Sequence, residues 1–138
     1  MRIEFYVLPG DQPGERLRAA CQLTAKGWRH DLPVFVRGAD AAQCEQLDEL
    51  LWRFKGETFV PHNLYEDGSD APVLIGIDQA PQVANGLLIN LHPHLREDLS
   101  PFSRVIEIVN QQPRVLAASR ENFRDYRQRG YDLRRVEL

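Results

Sequence analysis

The spacing of apolar side chains along the chain predicts short buried strands separated by amphipathic helices. Compact apolar runs, bounded by proline, glycine or aspartate, predict strands at residues 3–8, 33–36, 73–77, 86–91 and 104–109. Phe59-Val60-Pro61 predicts a further extended segment, because a proline disfavours helical backbone at the residue before it.

Three segments, residues 15–28, 41–54 and 114–129, carry apolar residues at the period of a helix with one buried face. Asp40 is the expected N-cap of the second helix, and Gly130 stands where the third needs a C-cap glycine. The predicted inner faces are, in chain order, Leu17, Cys21, Thr24, Trp28; Leu47, Leu50, Leu51, Phe54; and Val115, Ser119, Phe123, Tyr126. Strands that alternate with helices are typical of a mainly parallel α/β sheet with helices on both faces, the architecture of Rossmann-like domains.

Length and composition restrict the class of protein further. A chain of 138 residues is expected to form a single domain, residues 1–138. No stretch approaches the roughly 20 apolar residues of a membrane helix. We therefore expect no membrane contact. Cys21 and Cys44 are the only cysteines and form no CxxC motif, so we expect no disulfide framework and a protein of the reducing cytoplasm.

The charges are distributed unevenly along the chain. Residues 1–103 hold nine basic and fifteen acidic side chains, whereas residues 104–138 hold eight arginines and five acidic side chains. Arginine binds carboxylates and phosphates through a planar fork of donors, so an Arg-rich end predicts a local anion-binding face. The net charge of −3 argues against strong direct binding of DNA, which needs several convergent cations. A compositional preference for arginine is the alternative explanation.

The sequence offers little catalytic chemistry. The turn after the first strand, Pro9-Gly10-Asp11-Gln12-Pro13-Gly14, has neither GxGxxG nor a GxxxxGK[ST] loop, so no nucleotide-binding loop is predicted. His92-Pro93-His94 lacks a nearby third ligand for a metal. We therefore expect no cofactor, metal or catalytic residue, and a nucleotide-dependent hydrolase on a Rossmann-like fold remains the less favoured alternative.

The third helix carries the most informative pattern. Arg120, Arg124 and Arg127 lie at i, i+4 and i+7, on one face beside Phe123. Like charges at this spacing repel one another, which favours an anionic partner, although a solvated arginine face is the alternative.

The most specific parts of the sequence are two blocks, Leu47-Asp48-Glu49-Leu50-Leu51-Trp52 and Phe59-Val60-Pro61-His62-Asn63-Leu64. Together these blocks resemble the chi subunit of bacterial DNA polymerase III holoenzyme. Phe5-Tyr6, Trp28, Tyr126-Arg127 and Gly130-Tyr131 match the same family in order and spacing, so the resemblance covers essentially the whole chain.

The resemblance implies a non-catalytic accessory subunit of the clamp-loader complex in DNA replication. Such subunits bind the psi subunit of the clamp loader on one surface. On another they bind the acidic C-terminal tail of single-stranded-DNA-binding protein, which ends in an aromatic residue with a free carboxylate. The sequence leaves open whether a helicase competes for the same surface.

The resemblance also implies the residues of both surfaces. The tail site falls on Val109, Arg120, Phe123 and Arg124, where Val109 forms a wall and Arg120 takes the carboxylate. Leu116 stands where one family member has a lysine, and Arg114 or Arg127 is expected to compensate. The psi-facing surface is expected at Trp52, Phe59, Val60, Pro61 and His62, with an ordinary core role as the alternative for Trp52 and Phe59. Arg135, beyond the helix, is expected to lie outside the tail site.

Overall fold

The computed structural model describes residues 1–53 and 59–138. Within these residues the chain forms seven strands, three α-helices and one short 3-10 helix at Tyr65–Asp67. In chain order the strands and α-helices are β1 Arg2–Val7, α1 Glu15–Arg29, β2 Val34–Arg37, α2 Ala41–Arg53, β3 His62–Leu64, β4 Val73–Gly76, β5 Gly86–Asn90, β6 Phe102–Val109, α3 Pro113–Gln128 and β7 Asp132–Glu137.

The strands form one sheet in the order β3-β4-β2-β5-β6-β1-β7, and every pair in it is parallel. The prediction of a mainly parallel α/β domain is therefore confirmed. β7 was not predicted, because Leu133 and Val136 are its only apolar residues and it lies at an edge, paired with β1 alone. β3 begins at His62, just after the segment predicted to be extended.

Helices cover both faces of the sheet, as predicted. α1 and α2 pack on one face through Ala20, Cys21, Leu47 and Leu51 against alternate side chains of the central strands. α1 approaches the sheet closely at Gly27, where a Cβ atom would lie 3.0 Å from Leu87. α3 packs on the opposite face, together with Leu95 and Leu99 from the segment between β5 and β6.

Most of the predicted helix features are confirmed. Asp40 caps α2, since its Oδ1 accepts a hydrogen bond from the Gln43 backbone N–H at 2.8 Å. Leu50, predicted to be internal, is exposed because it lies on the outer side of α2 beside the buried Leu51. Phe54 lies outside the described residues.

The C-terminal end of α3 determines where β7 lies. Gly130 has a φ of +86°, in the left-handed region that glycine tolerates, and it reverses the chain after the helix. β7 then pairs with β1 in a register that places Arg135 beside Phe5 and Glu137 beside Val7. Consequently β7 continues the sheet beside β1, and α3 packs on the face of the sheet next to it.

Candidate functional site

A cavity of about 710 Å³ lies between α3 and the ends of β1, β6 and β7, and we call it the α3–β7 cavity. Its apolar lining comes from the sheet and from α3, and its arginines come from α3 and β7. The lining residues are Phe5, Val7, Val109, Gln111, Leu116, Ser119, Arg120, Phe123, Arg124, Arg127, Leu133 and Arg135.

The apolar part of the cavity lies where α3 packs on the sheet. Val109, the last residue of β6, is buried, and Phe123 from α3 packs against Phe5 with ring centroids 5.3 Å apart. Phe123 keeps 37% of its surface exposed, so its assignment to the inner face of α3 is wrong in part. Its ring both touches the core and remains accessible from the cavity, as an anchor for an apolar ligand requires.

The arginines form the rim. Arg120, Arg124 and Arg127 all reach the cavity from α3, as their spacing predicts. The structure therefore brings together the four residues assigned to the tail site from sequence, Val109, Arg120, Phe123 and Arg124, and places Arg127, one of the two arginines expected to compensate for Leu116, beside them. A cavity with apolar walls and a guanidinium rim can bury a ring while it binds carboxylates.

Two expectations about neighbouring arginines change. Arg114 does not line this cavity; it lines a separate one of about 150 Å³ with Arg16 and His92, so only Arg127 remains to compensate for Leu116. Arg135 was expected to lie outside the site, but it lines the α3–β7 cavity from β7. Sequence reasoning missed this position because β7 itself was not predicted.

A second surface lies at the end of α2. Trp52 and Phe59 are 60% and 54% exposed, and their ring centroids are 5.0 Å apart. Their high exposure excludes the core role that the sequence left open. We call these two residues the Trp52–Phe59 patch.

The other three residues assigned to this surface are less exposed than Trp52 and Phe59. Val60 and His62 are buried, and Pro61 is half-buried. The His62 ring lies 5.0 Å from the Trp52 ring, and its Nδ1 and Nε2 atoms lie 2.7 Å from the Val60 carbonyl oxygen and 3.2 Å from the Asp48 carbonyl oxygen. His62 therefore packs against the Trp52 indole, and its own side chain is too buried to contact a partner.

A buried polar network that was not predicted from the sequence lies beneath α3. The Glu107 carboxylate accepts hydrogen bonds from the Tyr126 hydroxyl at 2.8 Å and from the Asn90 amide at 2.9 Å and 3.0 Å. Arg37, itself buried, donates to the Asn90 Oδ1 at 3.3 Å and to Asp78 at 2.9 Å. The network joins β2, β5 and β6 to α3. Its residues are polar positions in otherwise apolar strands, which is the only trace they leave in the sequence.

Burial dominates the ionisation of Glu107. Loss of solvation raises the pKa of its carboxyl from an ordinary 4.5 to about 7, although hydrogen bonds from Tyr126 and Asn90 and the charges of Arg37 and Arg16 oppose the shift. Loss of solvation also lowers the pKa of His92, close to this network. The Glu107 carboxyl therefore gains its charge within the physiological range of pH.

We expect the free energy of unfolding to depend on pH through Glu107. Because the pKa of Glu107 is raised on folding, the folded protein binds more protons than the unfolded chain between about pH 4.5 and about pH 7. The stabilisation is complete below that window and is lost as the pH rises through it. Glu107→Gln, an isostere of the protonated form, removes this titration. Urea denaturation at about pH 5 and about pH 8 should show the variant gaining on wild type by a few kcal/mol at the higher pH.

The comparison with Glu107→Gln cancels the opposite contribution of His92, which is present in both proteins. The lowered pKa of His92 makes stability rise with pH through the ordinary histidine range. Free energies of unfolding that change in parallel in the two proteins would contradict the assignment to Glu107.

The start of α1 is unsuited to binding a phosphate. Glu15 lies in the first turn of α1, and its carboxylate packs on Gly10 so closely that a Cβ atom there would lie 2.4 Å from Oε2. An anionic side chain stands where a dinucleotide-binding fold places the pyrophosphate at the helix N-terminus. The geometry thus disfavours the nucleotide-dependent alternative.

The His92 and His94 rings lie 5.6 Å apart, but no group of three or more potential metal ligands occurs among residues 1–53 and 59–138. Within the same residues, none of the helices combines the length and the apolar character needed to cross a membrane.

Comparison with known proteins gives consistent matches along nearly the whole chain. The family model described as "DNA polymerase III chi subunit, HolC" matches residues 1–134. A protein of Pseudomonas aeruginosa named DNA polymerase III subunit chi is 43% identical over 132 residues, 96% of this chain and 93% of its own length. The subunit of the same name from Escherichia coli is 32% identical over 136 residues, 94% of this chain and 92% of its own length.

Proposed function

The chain belongs to the chi-subunit family of DNA polymerase III, whose members are non-catalytic accessory subunits, and we propose that it bridges two partners in the bacterial cytoplasm. One partner is the psi subunit of the clamp loader. The other is the acidic C-terminal tail of single-stranded-DNA-binding protein. The observation that carries this proposal is the α3–β7 cavity, an apolar cavity with an arginine rim.

The cavity matches the chemistry of a peptide that ends in an aromatic residue. Val109 and Phe123 offer an apolar wall for the ring, and Arg120 offers a fork of donors for the terminal carboxylate. Arg124 and Arg127 continue the charged face along α3 and would attract the acidic side chains of the tail. Each part of the proposed ligand thus has a complementary group in one place.

The Trp52–Phe59 patch fits the psi subunit. Adjacent exposed apolar side chains mark candidate interaction sites on a protein surface, and tryptophan is enriched among the residues that contribute most to interface binding energy. The patch is built on α2 and the segment after it, whereas the α3–β7 cavity is built on α3, β1, β6 and β7. Because no residue is shared, both partners can be bound together.

Such a bridge gains strength from multiple tails. Single-stranded-DNA-binding proteins present several tails along a coated strand, so a weak contact with one tail becomes effective through avidity. This lets the clamp loader stay near coated DNA without direct binding of nucleic acid by an acidic chain.

A bridging experiment tests the proposed function. An acidic peptide with a C-terminal phenylalanine is immobilised on a sensor surface, and psi is passed over it with and without this protein. We expect psi to be retained only when this protein is present. Retention that does not depend on this protein, or no retention in its presence, would exclude the bridge.

Replacement of Trp52 tests whether the Trp52–Phe59 patch contributes to psi binding. Because Trp52 is 60% exposed, Trp52→Ala should leave the fold intact and weaken psi binding by more than about 1 kcal/mol, or about fivefold. Isothermal titration calorimetry with psi measures the loss, and thermal unfolding checks the fold. Val83→Ala, which removes another exposed apolar side chain, is the matched control and should bind psi normally. Normal psi binding by Trp52→Ala would remove the patch from the proposal.

A further inference from the structure

Arg135 approaches the α3–β7 cavity from the side opposite the other arginines. Arg120, Arg124 and Arg127 come from α3, whereas Arg135 comes from β7. In the sheet register Arg135 lies beside Phe5, whose side chain also lines the cavity. The cavity therefore has cations on its helix side and on its strand side.

Arg135 is already paired with an internal carboxylate. Arg135 forms an ion pair with Glu137, with 2.6 Å between Nε and Oε1, and both side chains are 67% exposed. Two residues apart on one strand, they project from the same face of the sheet, and Glu137 lies beside the cavity residue Val7. Glu137 thus pairs Arg135 with a carboxylate, the same group that the side chains of an acidic peptide would offer.

We propose that Arg135 reads acidic side chains next to the C-terminal residue of the bound peptide, and that Glu137 is an internal competitor that the peptide displaces. This inference rests on the proposed function of the cavity. It assigns the strand side of the site a role in specificity, separate from the role of Arg120 in binding the terminal carboxylate.

The geometry of an extended peptide supports this division. Successive side chains of an extended chain point in opposite directions. A peptide between α3 and β7 therefore presents alternate acidic side chains to the α3 arginines and to Arg135. If Arg135 were absent, the acidic side chains that face β7, about half of them, would have no cation on that strand to pair with.

The internal pair is weak enough to be displaced. Ion pairs between exposed side chains contribute little, so Glu137 should reduce affinity for the peptide by no more than about fivefold. The competition nevertheless sets a threshold, because a peptide without acidic side chains gains nothing by separating Arg135 from Glu137. The pair would therefore discriminate acidic tails from other peptides with the same terminal residue.

The test compares two peptides and two variants by isothermal titration calorimetry at low salt. Both peptides end in phenylalanine with a free carboxylate; one carries aspartates before it and the other carries asparagines. Arg135→Gln keeps most of the aliphatic stem and removes the charge. We expect it to lose about fivefold in affinity for the aspartate peptide and to bind the asparagine peptide as wild type does. Arg29→Gln, an exposed arginine at the end of α1, is the matched control and should change neither.

Glu137→Gln tests the competition. It should raise affinity for the aspartate peptide by about threefold, and should have no effect when Arg135→Gln is also present. Equal losses for both peptides in Arg135→Gln, or an effect of Glu137→Gln that persists without Arg135, would overturn the inference. If the wild-type protein binds neither peptide, both proposals fail. Binding that Arg120→Ala abolishes and Arg135→Gln leaves unchanged would overturn this inference alone.

Discussion

Tyr126→Ala is expected to lower the free energy of unfolding by about 3–5 kcal/mol, the usual cost of removing a large aromatic side chain from a core. Tyr126 is fully buried, and its ring lies 6.1 Å from the Phe5 ring and 6.0 Å from the Tyr131 ring. Only Asn122 and Tyr126 are buried along α3, so this side chain is the main apolar anchor of the helix. Urea denaturation monitored by circular dichroism measures the change.

Tyr126→Phe is the matched control for this prediction. It keeps the ring and removes only the hydroxyl that donates to Glu107 at 2.8 Å, so it should cost about 1 kcal/mol. A Tyr126→Ala cost no larger than that of Tyr126→Phe would show that the ring does not anchor α3. Since α3 carries Arg120, Phe123 and Arg124, we also expect Tyr126→Ala to weaken peptide binding.

Arg120→Ala is expected to reduce affinity for an acidic peptide with a C-terminal aromatic residue by about tenfold or more. A hydrogen bond to a charged group contributes about 1.5–3 kcal/mol, and the terminal carboxylate is expected to bind this guanidinium. Calorimetric titration measures the loss. Arg29→Ala is the control, since Arg135 lines the same cavity and cannot serve as one.

Amidation of the peptide tests the same contact from the other side. It removes the terminal charge and leaves every other group in place. Added salt should weaken binding of the free peptide without abolishing it, because burial of the ring is not screened. Equal affinity for the free and amidated peptides would show that the protein does not recognise the terminal carboxylate. The assignment of Arg120 to that carboxylate would then have to be abandoned.

The sequence was sufficient for the elements with strong periodicity. α1, α2 and α3 and the five apolar strands lie close to their predicted ranges, because burial of one face imposes a repeat that neighbouring residues record directly. The arginine face of α3 is predictable for the same reason, since i, i+4 and i+7 share a face in any helix. The two sequence blocks around Trp52 and Phe59 were specific enough to indicate the family.

The exposure of Trp52 could not be read from the sequence. A tryptophan beside Leu51 at the end of an amphipathic helix fits the core as well as the surface, and Leu50 was misplaced for the same reason. The helix period alone does not define how wide the buried face is at a helix end. That width depends on what packs there, which here is β3 and His62.

The sequence determined the three helices, the five apolar strands and the basic side of α3. The tertiary structure alone decided where β7 lies and what faces the basic side of α3. The position of Arg135 at the α3–β7 cavity depends on the pairing of β7 with β1. The Glu107 network depends on contacts between Asn90, Glu107 and Tyr126. The first group of features follows from periodicity among residues a few positions apart. The second arises from pairings between residues distant in sequence, where burial and packing against the whole sheet outweigh local preference.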